Sequence, residues 1–183
     1  NNKLWCTFSH DQIDLNFKDP FVFIEFIEIV LLLLSKGVTT FRLDAVAFIW
    51  KKNGTSCVNL PETHEIVKLL RLIVNYINPH ALIVTETNLP RKENLSYFGN
   101  NDEANWIYNF PLPPLILYTF LFEDSSKISG WSKSMPPAQI NNAYLNFIAS
   151  HDGIGMRPAE GILDNIILDK LFKRVKKNGG KFS

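Results

Sequence analysis

The chain is short of the features that assign a protein most quickly. Its 183 residues hold two cysteines, Cys6 and Cys57, far apart and in no metal-ligand spacing. That excludes a disulfide framework and a cysteine-based zinc site, so reduced thiols in a reducing, cytoplasmic setting are expected. Charge of either sign is not in excess: 19 basic against 18 acidic residues leave +1, spread evenly until the short "KRVKK" run at 173–177. Neither nucleic acid nor an anionic membrane is therefore an expected partner. No apolar run reaches membrane length. The longest, "FVFIEFIEIVLLLL" at 21–34, carries Glu25 and Glu28 and falls short of the roughly 20 apolar residues of a span, so a buried helix is expected there. His10, His64, His80 and His151 form no His-x-His or His-x-x-x-His pair, so no metal and no metal cofactor is expected. No basic-then-apolar leader opens these 183 residues, which start at Asn1 and not at a methionine, and no internal repeat or low-complexity tract occurs in them.

What is present is a large apolar fraction, 46% of residues, in alternating patterns. Gly37 suits the left-handed position that ends the first apolar helix, and "VTTFRLDAVAF" follows with β-branched residues of a strand. Pro61 suits a first helical turn. From there Ile66, Leu69, Leu70, Ile73 and Ile77 recur at helical spacing and predict a helix that Asn78-Pro79 stops. "ALIVTET" at 81–87 is a continuous apolar run of the kind found in a parallel strand covered on both faces. "ANWIYNF" at 104–110 predicts a third strand, and the prolines 111, 113 and 114 lead into an apolar helix through about Phe122. A polar connector over 124–141 precedes "AYLNFIASHDGIG", a fourth strand running into a glycine-rich loop. Strands alternating with helices predict an α/β fold with a parallel sheet: part of a TIM (β/α)8 barrel, about strands 4 to 7 with their helices. A complete barrel typically needs about 250 residues, so the whole of 1–183 is expected to be one partial catalytic barrel domain, truncated at both ends.

Three of the four strands close on a carboxylate: Asp44, Glu86 and Asp152. Barrel active sites are built at that end of the strands, from several strands at once. Any one such Asp could instead be a helix N-cap or a turn residue. Arg42 lies two residues before Asp44, so both side chains project to one side of the strand. Apart from a buried ion pair, a poor stabiliser, this suits a carboxylate kept ionised and aimed, as a nucleophile requires. Glu86 ends an apolar strand and suits a proton donor. One ionised carboxylate and one protonated acid, roughly 5–5.5 Å apart, cleave glycosidic bonds with retention. His151 beside Asp152 fits hydrogen bonding to a sugar hydroxyl. Trp50, Tyr97, Phe98, Trp106 and Tyr108 could stack on sugar faces or simply pack.

These segments resemble a known family. "FRLDAVAF", "ALIVTETN" and "NFIASHDGIG" are similar, in this order, to the second, third and fourth signature regions of the α-amylase superfamily, glycoside hydrolase family 13. The stretches "DQIDLNF", "LPETHEIVKLLR", "TETNLPRKENLSYFG" and "SHDGIGMRPAEGIL" look most like its sucrose-phosphorylase-type subfamily, which includes enzymes acting on sucrose 6-phosphate and glucosylglycerate. "QIDLN" departs from the form found in oligo-1,6-glucosidases. The resemblance implies Asp44 as nucleophile, Glu86 as general acid/base and Asp152 as transition-state stabiliser, with Arg42 and His151 as substrate-binding partners. It implies α-glucosyl transfer through a covalent β-glucosyl-enzyme, with phosphate as co-substrate and α-glucose 1-phosphate as product, sucrose or a related α-glucoside being the donor. Arg157 in "MRPAEG" is the candidate for holding phosphate. The family's first signature region and last strand are expected outside this chain. A hydrolase or transglucosidase of the same superfamily, or an inactive truncated remnant, are the alternatives.

Overall fold

The computed structural model describes residues 4–181. Among the described residues four strands and six α-helices follow one another, alternating except that α4 and α5 are consecutive: α1 (Pro20–Ser35), β1 (Thr40–Leu43), α2 (Pro61–Ile77), β2 (Leu82–Thr85), α3 (Arg91–Ser96), β3 (Trp106–Tyr108), α4 (Leu112–Phe122), α5 (Ser126–Ser134), β4 (Ala143–Leu145) and α6 (Asn165–Lys177). The sheet order is β1-β2-β3-β4. β1 pairs with β2 in parallel, Arg42 opposite Val84, and β2 with β3, Thr85 opposite Ile107. The described chain forms two compact units. One runs to Thr87 and includes Leu95–Ile107 and Gln139–Ala143; the other comprises Asn88–Asn94, Tyr108–Ala138 and Tyr144 onward.

In the first unit, Asp19 caps α1 by accepting from the Phe21 amide at 3.0 Å, and Pro20 opens the helix. Gly37 ends it at φ +89, as the sequence requires. The helix is not buried, contrary to expectation: Val30 is its buried residue, while Phe21, Ile24, Ile29 and Leu32 are exposed. Its sequence is apolar all round, whereas among the described helices and strands it packs chiefly on α2.

The α2 helix forms where its period predicts, but its buried face is rotated. Thr63, Val67, Leu70, Arg71 and Val74 face inward, whereas Leu69 and Ile77 are exposed. The reason is that α2 carries apolar residues on more than one face. The inward polar positions are tolerated in part because the Arg71 guanidinium donates to the Glu103 main-chain carbonyl at 2.7 Å.

In the second unit, Leu115, Tyr118, Trp131, Ala159, Leu163 and Leu171 form the core. Trp131 reaches it from α5, a helix in the stretch expected to be a polar connector. Most of α5 is polar and faces solvent, so its composition reads as a loop although Trp131 anchors it. Asp164 caps α6 by accepting from Ile167. Arg174, Lys176 and Lys177 of the basic run fall in its last turn, where positive charge complements the helix dipole.

Candidate active site

Along β1 burial alternates, Phe41 and Leu43 on the covered side and Thr40 and Arg42 on the other. Asp44 follows on the same side as Arg42, and the Arg42 Nη2 to Asp44 Oδ1 distance is 2.7 Å. The pair is not buried: the side chains are 37% and 70% exposed. Such a pair adds little stability, and its effect is to orient the carboxylate. An apolar cavity of about 460 Å3, walled by Phe8, Phe17, Phe26 and Phe48, opens against both residues.

The strand stops at Leu43 rather than continuing through "VAF". Ala45 turns into the left-handed region at φ +46, and Val46–Phe48 form a 3-10 turn. This turn points the Ala45 N–H at Glu86, whose Oε2 accepts it at 2.9 Å. The Glu86 amide in turn donates to Leu43 O at 3.0 Å, carrying the ladder one residue past β2. Asp44 and Glu86 therefore leave adjacent strand ends, Glu86 being tied to the main-chain groups on either side of Asp44. The bond to Oε2 fixes the orientation of the Glu86 carboxylate.

Asp152 is placed differently from the expectation. β4 ends at Leu145, and Asp152 stands on a separate tight turn in the second unit. Ser150 and Gly153 exchange main-chain hydrogen bonds at 3.1 and 3.0 Å, and the Asp152 amide donates to Ser150 Oγ at 3.2 Å. Gly153 adopts φ +87, which this turn requires of a residue without a side chain. The turn displays His151 and Asp152 to solvent, Nε2 to Oδ2 at 3.3 Å. A second glycine matters nearby: a β-carbon on Gly155 would lie 2.8 Å from the Asn88 side-chain nitrogen, so the bare backbone makes room for that amide.

Arg157 opens a 3-10 turn, Arg157–Ala159, and is exposed; its guanidinium makes no hydrogen bond or ion pair among the described residues. Of the aromatic candidates, Tyr97 and Phe98 are buried and cannot stack on a ligand; they are core. Tyr108 packs on Phe110 and edge-on to Phe147, ring centroids 5.4 and 5.3 Å apart. The sequence reading missed Ala45 and Asn88. Ala45 acts through its amide and a backbone angle that alanine rarely adopts, so its side chain carries no signal. Asn88 follows Glu86 by two residues, and its pairing with Gly155 is a contact between distant segments.

The family model for the α-amylase catalytic domain matches residues 4–154. The chain is 48% identical over 180 residues to glucosylglycerate phosphorylase of Spirochaeta thermophila, covering 98% of this chain and 31% of that protein. The Escherichia coli glucosylglycerate phosphorylase is 43% identical over 177 residues, 96% of this chain and 32% of that protein. Among solved structures, sucrose 6F-phosphate phosphorylase from Thermoanaerobacter thermosaccharolyticum superposes with a TM-score of 0.82 at 25% identity, over 98% of this chain and 36% of that one. The chain thus spans about a third of the length of these relatives. The fold is the part of a TIM barrel that the alternating strands and helices imply. With strand-end carboxylates following the β1 and β2 ladders and a family match over most of its length, this chain belongs to the α-amylase family, within its catalytic domain.

Proposed function

We propose that the protein to which this chain belongs is a retaining α-glucosyl phosphorylase acting on glucosylglycerate. The observation that carries the reading is the hydrogen bond from Ala45 to Glu86 Oε2 beside the Arg42–Asp44 pair: one carboxylate is oriented by a cation, the next by a main-chain N–H. That arrangement suits attack by Asp44 on the anomeric carbon while Glu86 protonates the departing oxygen. Phosphate then displaces Asp44 from the glucosyl-enzyme, Glu86 taking its proton as general base, and α-glucose 1-phosphate leaves. Asp152, with His151 beside it, stabilises the positive charge that develops on the sugar ring, and Arg157 is available to the phosphate.

Sequence alone placed sucrose first as donor. The two phosphorylases at 48% and 43% identity favour glucosylglycerate instead, and inorganic phosphate remains the co-substrate with no cofactor. A donor panel of glucosylglycerate, sucrose and sucrose 6-phosphate, each with and without phosphate, tests this on the full-length protein. Phosphate-dependent α-glucose 1-phosphate from glucosylglycerate is expected. Free glucose released at the same rate without phosphate would make the protein a hydrolase.

A further inference from the structure

Away from the carboxylates, the first unit contains a buried polar cluster that the reaction does not use. His64, in the first turn of α2, has an oxygen at each ring nitrogen: Glu103 Oε2 lies 2.7 Å from Nδ1, and Asn59 Oδ1 lies 3.2 Å from Nε2. The ring rests against Tyr97, centroids 4.6 Å apart. Glu103 is 2% exposed, and its main-chain carbonyl accepts from Arg71. The backbone at Gly99 passes so close that a β-carbon there would lie 2.9 Å from the Glu103 side chain, which holds the carboxylate in one place. A buried ionisable pair of this kind stabilises no better than apolar packing. What it supplies is a fixed geometry.

The geometry it fixes leads to the site. Asn59 stands at φ +54 and its amide donates to Ala47 O at 2.8 Å. Ala47, 1% exposed, lies in the 3-10 turn that starts directly after Ala45. Ala45 is the residue whose N–H holds Glu86. His64 thus joins the start of α2, the 97–104 segment and the 45–59 connection at one ring.

We propose that His64 is a positioning residue for the carboxylates that follow β1 and β2: by bridging Glu103 and Asn59 it fixes the 45–59 connection, and through it the Ala45 amide that orients Glu86. The proposal rests on the assignment of Asp44 and Glu86 as the reacting pair. Its first variant is Asn59→Gly, because glycine adopts the native positive φ without strain and removes the side-chain link, although it also frees the backbone at that position. His64→Gln is the conservative companion, since its amide nitrogen reaches the place of Nε2 and keeps a donor for Asn59.

In the full-length protein, Asn59→Gly should speed amide hydrogen exchange over 45–59 by about tenfold or more while α2 and 97–107 keep their protection. It should lower kcat by about 10- to 100-fold through misplacement of the acid, with KM within about threefold of wild type. His64→Gln, which keeps the link to Asn59 and loses the one to Glu103, should fall between Asn59→Gly and wild type in both protection and kcat. Unchanged exchange over 45–59, a uniform rise across α2 and 97–107, or Asn59→Gly activity equal to wild type would overturn the proposal. A wild-type protein without glucosyl transfer would instead sink the functional reading, and the exchange pattern alone would then decide whether His64 fixes the connection.

Discussion

The Ala45 amide donates to Glu86 Oε2 at 2.9 Å, from a residue held at φ +46. One hydrogen bond links the turn after β1 to the carboxylate after β2, and it depends on an alanine in the left-handed region. Any residue with a β-carbon, alanine included, adopts that conformation at a cost of roughly 1–2 kcal/mol, whereas glycine adopts it readily. Ala45→Gly should therefore raise stability by up to about 1 kcal/mol, the relieved strain less the extra chain entropy of glycine, and Ala45→Val should lower it, as read by denaturant midpoints. Equal stability of the two variants would show that the turn is not strained.

Glu86→Gln keeps an oxygen to accept the Ala45 N–H but has no proton of comparable acidity to give. Glucosyl transfer from a donor with a poor leaving group should fall about 10²- to 10⁴-fold, the range of a positioned general acid. A donor with an activated leaving group needs less protonation, so its first step should fall much less. Equal losses with both donors would remove Glu86 from the acid role.

The rotated face of α2 makes a packing prediction. Leu70 is 1% exposed and Leu69 44%, although both belong to the apolar stripe read from the sequence. Leu70→Ala should cost about 2–5 kcal/mol, and Leu69→Ala should stay within about 0.5 kcal/mol. The reverse order in thermal or denaturant unfolding would restore the face that periodicity predicts.

In the second unit, the Ser126 hydroxyl and amide, and then the Tyr118 hydroxyl, hold the Asp124 carboxyl below its usual value of 3.8; Tyr118 donates at 2.8 Å. Because the folded pKa is the lower one, the stabilisation is present above the unfolded value and is lost as pH falls through the folded value. Tyr118→Phe should therefore narrow the difference in stability between pH 7 and pH 3, both pH values being set by the usual range of aspartate at about 4. An unchanged difference would show that this hydrogen bond does not act on the carboxylate.

Much of this was legible in the sequence, for physical reasons that differ by element. α2 announces itself through Pro61 and apolar residues at helical spacing, α1 through an apolar run ended by Gly37, α4 through a proline cluster leading into an apolar run, and β2 through an unbroken apolar run. Asp44 and Glu86 stand at strand ends because strand ends are where the run of apolar residues stops, and the Arg42–Asp44 pairing follows from the two-residue period of a strand. Periodicity did not show which face of α2 turns inward, since several of its faces are apolar. It also missed α5, where a single buried Trp131 outweighs a polar composition, and it extended the fourth strand to Asp152, which stands on a turn closed by Ser150 and Gly153. Ala45 and Asn59 escaped notice, and His64 reads only as a candidate metal ligand, because they act through backbone angles and contacts between segments far apart in the chain.

In the proposed mechanism Asp44 attacks the sugar. Intact-protein and peptide mass analysis of the full-length protein, carrying Glu86→Gln and incubated with an activated α-glucosyl donor, reads that step directly. One glucosyl group is expected on the peptide containing Asp44, and none when Asp44→Asn is added. A glucosyl group on another carboxylate, or full turnover in the Asp44→Asn protein, would contradict that mechanism.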